Sequence, residues 1–273
     1  MTLVLTELSN AGIVMAADSA ISKIDHQGRI KEVDEIGWTK VLRVPAIRSG
    51  VSYWGIVGAI TIDRFDHWLQ ARIDLTDRYA DLRTFSEFIC AELNQAVGNN
   101  VLPNNQEVGI HVAGFALWED RVVRPFFYHI HNGHAKYELN PIFDPNNPSR
   151  VMRVEANWVA EPRRLFAVHQ DFPHLDKPLD ENLRELSSAY TTRNGHFLLY
   201  AIIWQHLKNA LDIINLIPGI SIPKDPNDLA GRKGFLHRIM QTMIQMYKSS
   251  NLRRVVGGRV TTVAIRPDGF VND

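Results

Sequence analysis

The spacing of apolar and polar residues along the chain predicts strands near its beginning, in its middle and at its end. Within the first sixty residues, short and largely apolar segments predict strands over residues 2–6, 12–17, 20–24, 39–44 and 51–57. Later segments of the same kind predict strands over residues 108–117, 122–130 and 259–265. A turn composition, Ser9-Asn10-Ala11-Gly12, separates the first two segments, so we expect them to form a hairpin.

Apolar residues three or four positions apart predict helices, because residues at that spacing share one helix face. They fall in four segments, which cover residues 62–73, 85–97, 181–216 and 228–248. Residues 26–36 are polar and predict a loop or an irregular hairpin, and a loop-rich insertion with one or two short strands is predicted around residues 138–180. This order of elements predicts one α+β domain over residues 1–273, with sheets packed together and helices outside.

Composition and charge narrow the class of protein. The 273 residues are 45% hydrophobic, and 30 basic side chains balance 30 acidic ones, which argues against a nucleic-acid partner. The beginning of the chain lacks the basic region and long apolar core of a signal peptide. The longest apolar stretch, residues 197–204, is too short to cross a bilayer, and a single cysteine fits a reducing compartment. We therefore expect a cytoplasmic protein without a membrane partner.

The residue after the initiator methionine is the first candidate for chemistry. Removal of Met1 would leave Thr2 with a free α-amine, whose pKa of about 7.7–8.0 suits a base near neutral pH. A threonine hydroxyl beside its own amine is one form of activated nucleophile. The alternative is that Thr2 is simply an early strand residue.

A lysine and an aspartate form the second candidate. Alternation over residues 39–44 places Lys40 on the same strand face as Leu42 and Val44, which is an unusual place for a lysine. Burial lowers the pKa of a lysine unless a carboxylate pairs with it, and Asp18, after an apolar strand, is the candidate partner. The pair is interpreted either as a structural ion pair or as a proton acceptor or electrostatic activator beside a nucleophile.

Taken together, these segments resemble the proteasome-type N-terminal-nucleophile hydrolases. The resemblance rests on Thr2, the strand GIVMAADSAIS, the strand TKVLRV, the turn GIVGAITID that leads into a helix, and the closing segment VVGGRVTTVAIRPDG. It covers about residues 1–70 and 255–270, and strands near residues 107–131 fit more loosely. On this pattern the chain is similar to a divergent bacterial-like proteasome beta-subunit.

The resemblance implies a fold and a role for each matching residue. The implied fold is a four-layer αββα sandwich, assembled as a homo-oligomeric ring or a related assembly that acts on a peptide or protein substrate without metal or cofactor. Thr2 would be the nucleophile with its own amine as general base. Lys40 would lower the pKa of the threonine hydroxyl, and Asp18 would orient Lys40. Gly58 would supply the backbone N–H of the oxyanion hole, and Ser22 would contact the substrate backbone.

Two further readings stay open beside the peptide-cleaving one. Residues 251–256 lack the aspartate and the serine that active members of this family usually carry before the closing Gly-Gly, and Arg253 and Val256 stand there instead. A non-catalytic oligomeric structural subunit is therefore one alternative, and a small-molecule amidase with the same nucleophile is the other. His129 and His131 share a strand face, but the sequence offers no third ligand for a metal.

Overall fold

The computed structural model describes most of the elements that the sequence predicts. The described residues are 2–9, 11–24, 30–34, 37–55, 64–75, 81–101, 108–117, 123–133, 154–162, 190–195, 206, 210, 213–220, 228–249 and 256–271. Within them the chain is a mixed helix and strand structure with antiparallel sheets.

Strands are more numerous than helices among the described residues. They are β1 (Leu3–Ser9), β2 (Gly12–Asp18), β3 (Ile21–Ile24), β4 (Ile30–Asp34), β5 (Val41–Val44), β6 (Ser49–Gly55), β7 (Val108–Leu117), β8 (Val123–Gly133), β9 (Val154–Pro162), β10 (Tyr190–Gly195), β11 (Val260–Arg266) and β12 (Gly269–Phe270). The helices are α1 (Phe65–Ile73), α2 (Leu82–Gly98) and α3 (Leu229–Ser249).

Helices α2 and α3 each begin after an aspartate whose carboxylate accepts a main-chain N–H of the first turn. Asp81 precedes α2, and its carboxylate accepts the amide N–H of Thr84 at 2.8 Å, while the Thr84 hydroxyl accepts the Asp81 N–H at 3.3 Å. This reciprocal pair satisfies two main-chain donors at the start of α2. Asp228 precedes α3, and its carboxylate accepts the N–H of Gly231 at 2.8 Å, which satisfies one main-chain donor at the start of that helix.

Two five-stranded sheets and one hairpin organise the strands. The first sheet has the order β10-β1-β2-β11-β12, the second has the order β5-β6-β7-β8-β9, and β3 pairs with β4. The predicted hairpin of β1 and β2 is present, with Val4 opposite Ala17 and Ser9 opposite Gly12. Because β2 also pairs with β11, the chain end is joined to its beginning in one sheet.

Three apolar clusters hold these elements together. One face of β1 and β2, including Leu3 and Leu5, packs against α3. The opposite face, including Val4 and Met15, packs against residues of the second sheet such as Phe127. The far side of the second sheet packs under α1 and α2. Strands β1 and β2 are therefore buried on both faces, which agrees with the mostly apolar sequence of β2, whereas β1 also buries Thr6, Glu7 and Ser9.

The structure corrects three sequence-based expectations. Residues 190–195 form a strand rather than part of a helix over 181–216: they pair with β1, which puts Leu3 opposite Gly195. The segment Tyr190-Thr-Thr-Arg-Asn-Gly favours a strand locally, since β-branched residues suit strands and glycine weakens helices. Thr2 and Lys40 each lie one residue before a strand rather than inside it. Leu42 and Val44 face the cluster under α1 and α2, whereas Lys40 turns toward the first sheet.

The expected insertion falls largely outside the described residues. Within the segment around 138–180, the structure describes β9, which pairs with β8. The single-domain expectation therefore stays a prediction. In the part of the chain that the structure describes, no helix has the length and apolar character needed to cross a membrane.

Gly12 has the strictest steric requirement among the turns of the first sheet. Its φ is +138°, and a Cβ atom there would lie 2.5 Å from the main-chain oxygen of Ile265. We expect Gly12→Ala to lower the free energy of unfolding by roughly 2–4 kcal/mol, because strained backbone and overpacking add. Urea unfolding measures this. Gly98→Ala is the matched control, since a Cβ there meets nothing within 4 Å. An equal effect of both substitutions would contradict the prediction.

Candidate active site

Three side chains that the sequence singles out lie in contact at the ends of three strands. Thr2 precedes β1, Asp18 ends β2 and Lys40 precedes β5. The Lys40 ammonium donates to the Thr2 hydroxyl oxygen at 2.7 Å and to Asp18 Oδ1 at 3.2 Å. All three residues are at most 2% exposed. The folded chain therefore buries a lysine, a carboxylate and a hydroxyl as one connected group.

The Lys40 ammonium is fully satisfied in this position. An ammonium has three N–H donors and no acceptor. Its third N–H donates to the main-chain oxygen of Ala20. The three acceptors come from two segments of the chain, Thr2 before β1 and residues 18–20 at the end of β2, and together they fix the position of Nζ.

The protonation state of Lys40 determines which partner donates in its hydrogen bond with the Thr2 hydroxyl. Burial lowers the pKa of the Lys40 ammonium, and attraction and hydrogen bonding to Asp18 oppose only part of this effect. When the lysine loses a proton, its lone pair needs a donor. The ionised carboxylate of Asp18 and the carbonyl of Ala20 only accept, whereas the Thr2 hydroxyl can donate. Neutral Lys40 is thus directed toward the proton of the Thr2 hydroxyl.

Asp18 is held in place by main-chain donors as well as by the lysine. Its Oδ1 accepts the N–H of Leu3 at 2.9 Å. Its Oδ2 accepts the N–H of Ala20 at 3.2 Å and the N–H of Gly257 at 3.1 Å. With Lys40 this makes four donors to one buried carboxylate. Such a carboxylate cannot rotate without breaking bonds to β1, to its own turn and to the end of the chain.

The glycine pair before β11, Gly257 and Gly258, lies beside the turn that follows β2. The carbonyl of Gly257 accepts the N–H groups of Ser19 and Ala20, each at 3.2 Å. The Ser19 hydroxyl accepts the N–H of Arg259 at 2.8 Å. Gly258 has a φ of +75°, in the region that glycine adopts without strain. Spacing in the sequence does not predict these bonds, because they join residues more than two hundred positions apart.

The structure describes one of the other two predicted site residues. Ser22 lies in β3 opposite Val33 and is half-buried. Gly58 lies outside the described residues, so the oxyanion-hole assignment stays a prediction. Arg253 also lies outside them, while Val256 is buried in the apolar cluster against α3.

The histidines of β8 add no metal site to the described structure. In β8, His129 lies opposite His111 of β7, and His131 lies opposite Gly109. Among the residues that can be described, no group of three or more His, Cys, Asp or Glu side chains is arranged to hold a metal ion.

Comparisons with known proteins give a weak likeness to two solved structures. The chain is similar to the Anbu (Gly-1) mutant from Hyphomicrobium sp. strain MC1 at 13% identity and a TM-score of 0.42, covering 97% of this chain and 81% of that one. It is similar to Anbu (ancestral beta-subunit) from Yersinia bercovieri at 13% identity and a TM-score of 0.30, covering 81% of this chain and 100% of that one. No family model and no curated protein matches the sequence. Because both TM-scores lie below 0.5, this likeness decides neither the fold nor the chemistry.

Removing the Asp18 carboxylate tests how far the site depends on it. Asp18→Ala leaves the Lys40 charge and three main-chain N–H groups without their acceptor. Breaking a buried pair in this way typically costs about 3–5 kcal/mol, which we expect as the loss in free energy of unfolding by urea. Glu87→Ala is the control, since Glu87 pairs with Arg83 on the surface. A loss no larger than the control's would show that the pair does not hold the fold.

The lowered pKa of Lys40 predicts a pH dependence of stability. Because the folded state holds this proton more weakly than the unfolded chain, the unfolded chain binds more protons between the lowered pKa and the ordinary value of about 10.4. Stability should therefore rise with pH across that window. We expect wild type to gain stability relative to Lys40→Met from about pH 7 to about pH 10. Urea midpoints measured in pairs test this, and a difference that stays constant or shrinks would refute it.

Proposed function

We propose that this chain is a threonine-nucleophile hydrolase of proteasome type, which cleaves peptide (amide) bonds through an acyl ester on Thr2 after removal of Met1. The observation that carries the proposal is the buried contact of the Lys40 ammonium with the Thr2 hydroxyl at 2.7 Å. An isolated structural ion pair between Lys40 and Asp18 would not need a hydroxyl as its third partner. Of the three acceptors of the Lys40 ammonium, the Thr2 hydroxyl is the one that itself carries a proton to donate to neutral lysine.

The proposed reaction transfers an acyl group in two steps. In the first, the Thr2 hydroxyl proton passes to a base, either neutral Lys40 or the free α-amine, as Oγ1 attacks the carbonyl carbon of the substrate. The amine product then leaves with a proton, which leaves an ester on Thr2. In the second step water attacks the ester and regenerates the hydroxyl. The proposed donor to the oxyanion is the N–H of Gly58, and such a donor is typically worth about 3–4 kcal/mol of barrier.

The wider architecture belongs to the same proposal. The three apolar clusters, one under α3, one between the sheets and one under α1 and α2, support a four-layer αββα sandwich. The proposal also includes a homo-oligomeric ring or related assembly and a cytoplasmic location. Ser22 is proposed to contact the peptide or protein substrate.

One observation favours a second candidate, a non-catalytic oligomeric subunit with the same fold. Val256, directly before Gly257, is buried at 1% exposure in the apolar cluster against α3. An apolar side chain there offers no hydrogen bond to a terminal amine. A subunit that keeps the Asp18–Lys40 pair only to hold β2 in place would show the same buried contacts.

A peptide epoxyketone distinguishes the two candidates, because it reacts with the hydroxyl and the amine of an N-terminal threonine together. We expect purified protein to begin at Thr2 and to form one covalent adduct on Thr2, detected by intact mass and peptide mapping. Thr2→Ser keeps the hydroxyl and should also react. Thr2→Val matches the shape of threonine without the hydroxyl and should form no adduct.

Each result has a definite meaning. Protein that begins at Met1 would remove the catalytic reading for that sample, because the amine is then an amide. Mature protein that begins at Thr2, forms no adduct on long exposure and cleaves no member of a diverse peptide library would make the structural subunit the better of the two candidates.

A further inference from the structure

The segment that carries Lys40 is held at its main chain by the start of α1. The Thr39 N–H donates to Asp66 Oδ2 at 2.9 Å, and the carbonyl of Gly37 accepts from the Arg64 guanidinium. The same guanidinium lies 5.3 Å from the centre of the Trp38 ring. Residues 37–39 are therefore fixed at each position by Arg64 or Asp66, directly before Lys40.

Asp66 is itself rigidly placed. The residue is 2% exposed, and its Oδ1 accepts Arg64 Nε and the N–H of His67, each at 3.0 Å, while its Oδ2 pairs with the Arg64 Nη2 group. Burial by itself would raise the pKa of the Asp66 carboxyl, but hydrogen bonds from Arg64 and from the Thr39 amide outweigh it and lower that pKa. The carboxylate is thus a fixed, charged acceptor for the Thr39 N–H.

Lys40 is held on its other side by a residue that also packs on α1. The Tyr53 N–H donates to the Lys40 carbonyl at 3.2 Å. The Tyr53 ring meets the Phe65 ring edge-on, with ring centres 5.0 Å apart. The first turn of α1 therefore contacts both neighbours of the Lys40 main chain: Asp66 bonds to the Thr39 N–H, and Phe65 packs on Tyr53.

We propose that Asp66, supported by Arg64, is a positioning residue that sets the distance between Lys40 and Thr2. This inference rests on the proposed hydrolase function. The Thr39 amide is the last main-chain donor before Lys40, so releasing it frees the Lys40 Cα to shift. A misplacement of about 1 Å in a catalytic arrangement can cost about a hundredfold in rate. Asp66 touches none of the reacting atoms, and its effect runs through the lysine.

Three variants and one control test the proposal. Asp66→Ala removes the acceptor of the Thr39 N–H, whereas Asp66→Asn keeps one amide oxygen that can accept this N–H but replaces the other oxygen, and the charge, with an NH2 group. Arg64→Met removes the bond to Gly37 from a side chain that is 32% exposed, so this variant should fold even if Asp66→Ala does not. Glu92→Gln is the control, since it breaks the 3.3 Å ion pair of Arg72 at the far end of α1.

Two readouts are measured on protein that begins at Thr2. The first is peptide hydrolysis: in Asp66→Ala we expect kcat to fall tenfold or more with KM changed less than about twofold, and Asp66→Asn to recover part of the loss. The second is the titration of Lys40 by NMR of labelled lysine, assigned by loss of the signal in Lys40→Arg. We expect its midpoint to rise toward the ordinary lysine value in Asp66→Ala and Arg64→Met, because a displaced lysine is less buried. Glu92→Gln should change neither.

The two readouts separate failure of this inference from failure of the proposed function. If wild type is active and Asp66→Ala and Arg64→Met change neither kcat nor the Lys40 titration, the positioning role is overturned and the hydrolase stands. A loss of kcat with an unmoved titration also overturns it, because the effect would not run through Lys40. If mature wild type hydrolyses no substrate but the Lys40 titration midpoint still rises in Asp66→Ala and Arg64→Met, Asp66 positions Lys40 and the proposed hydrolase function is overturned.

Discussion

Burial of the Lys40 ammonium is the constraint on which the rest of this site depends. Removing an ammonium from water costs several kcal/mol even after relaxation, and only well-placed acceptors offset that cost. Lys40 is 1% exposed and has an acceptor for each of its three donors. Each acceptor must therefore be held in place, and Thr2, Asp18 and Ala20 are held next to the ends of β1 and β2.

The Asp18 carboxylate connects the buried lysine to several segments of the fold. It ends β2, the central strand of the first sheet, and accepts main-chain N–H groups from the start of β1 and from Gly257 before β11. The beginning, the turn after β2 and the closing segment of the chain thus meet at one buried anion. A change in the path of any of them would leave a buried charge or a buried donor without its partner, at a cost of a few kcal/mol.

A buried ion pair does not by itself identify a function, because pairs of this kind also occur as purely structural contacts. What distinguishes this site is the third partner. A structural role for Lys40 would be met by any acceptor, yet the group placed at 2.7 Å is a hydroxyl on the residue that would become the chain's first. The first turn of α1 fixes the same lysine from the main-chain side through Asp66 and Thr39, so its position is determined independently of the nucleophile.

From the sequence alone, many of the local elements and the candidate site side chains could be predicted. Apolar spacing predicted β1, β2, β7 and α3, since period is a local property, and a lysine among apolar residues marked Lys40 as unusual. Only the tertiary structure decided which groups meet. The Gly257 bond to Asp18 and the Thr39 bond to Asp66 each join a main-chain N–H to the carboxylate of a distant segment, and nearly any residue type can provide that N–H. Residues 190–195 likewise form a strand by pairing with the edge of β1, a non-local contact that the helical prediction over residues 181–216 missed.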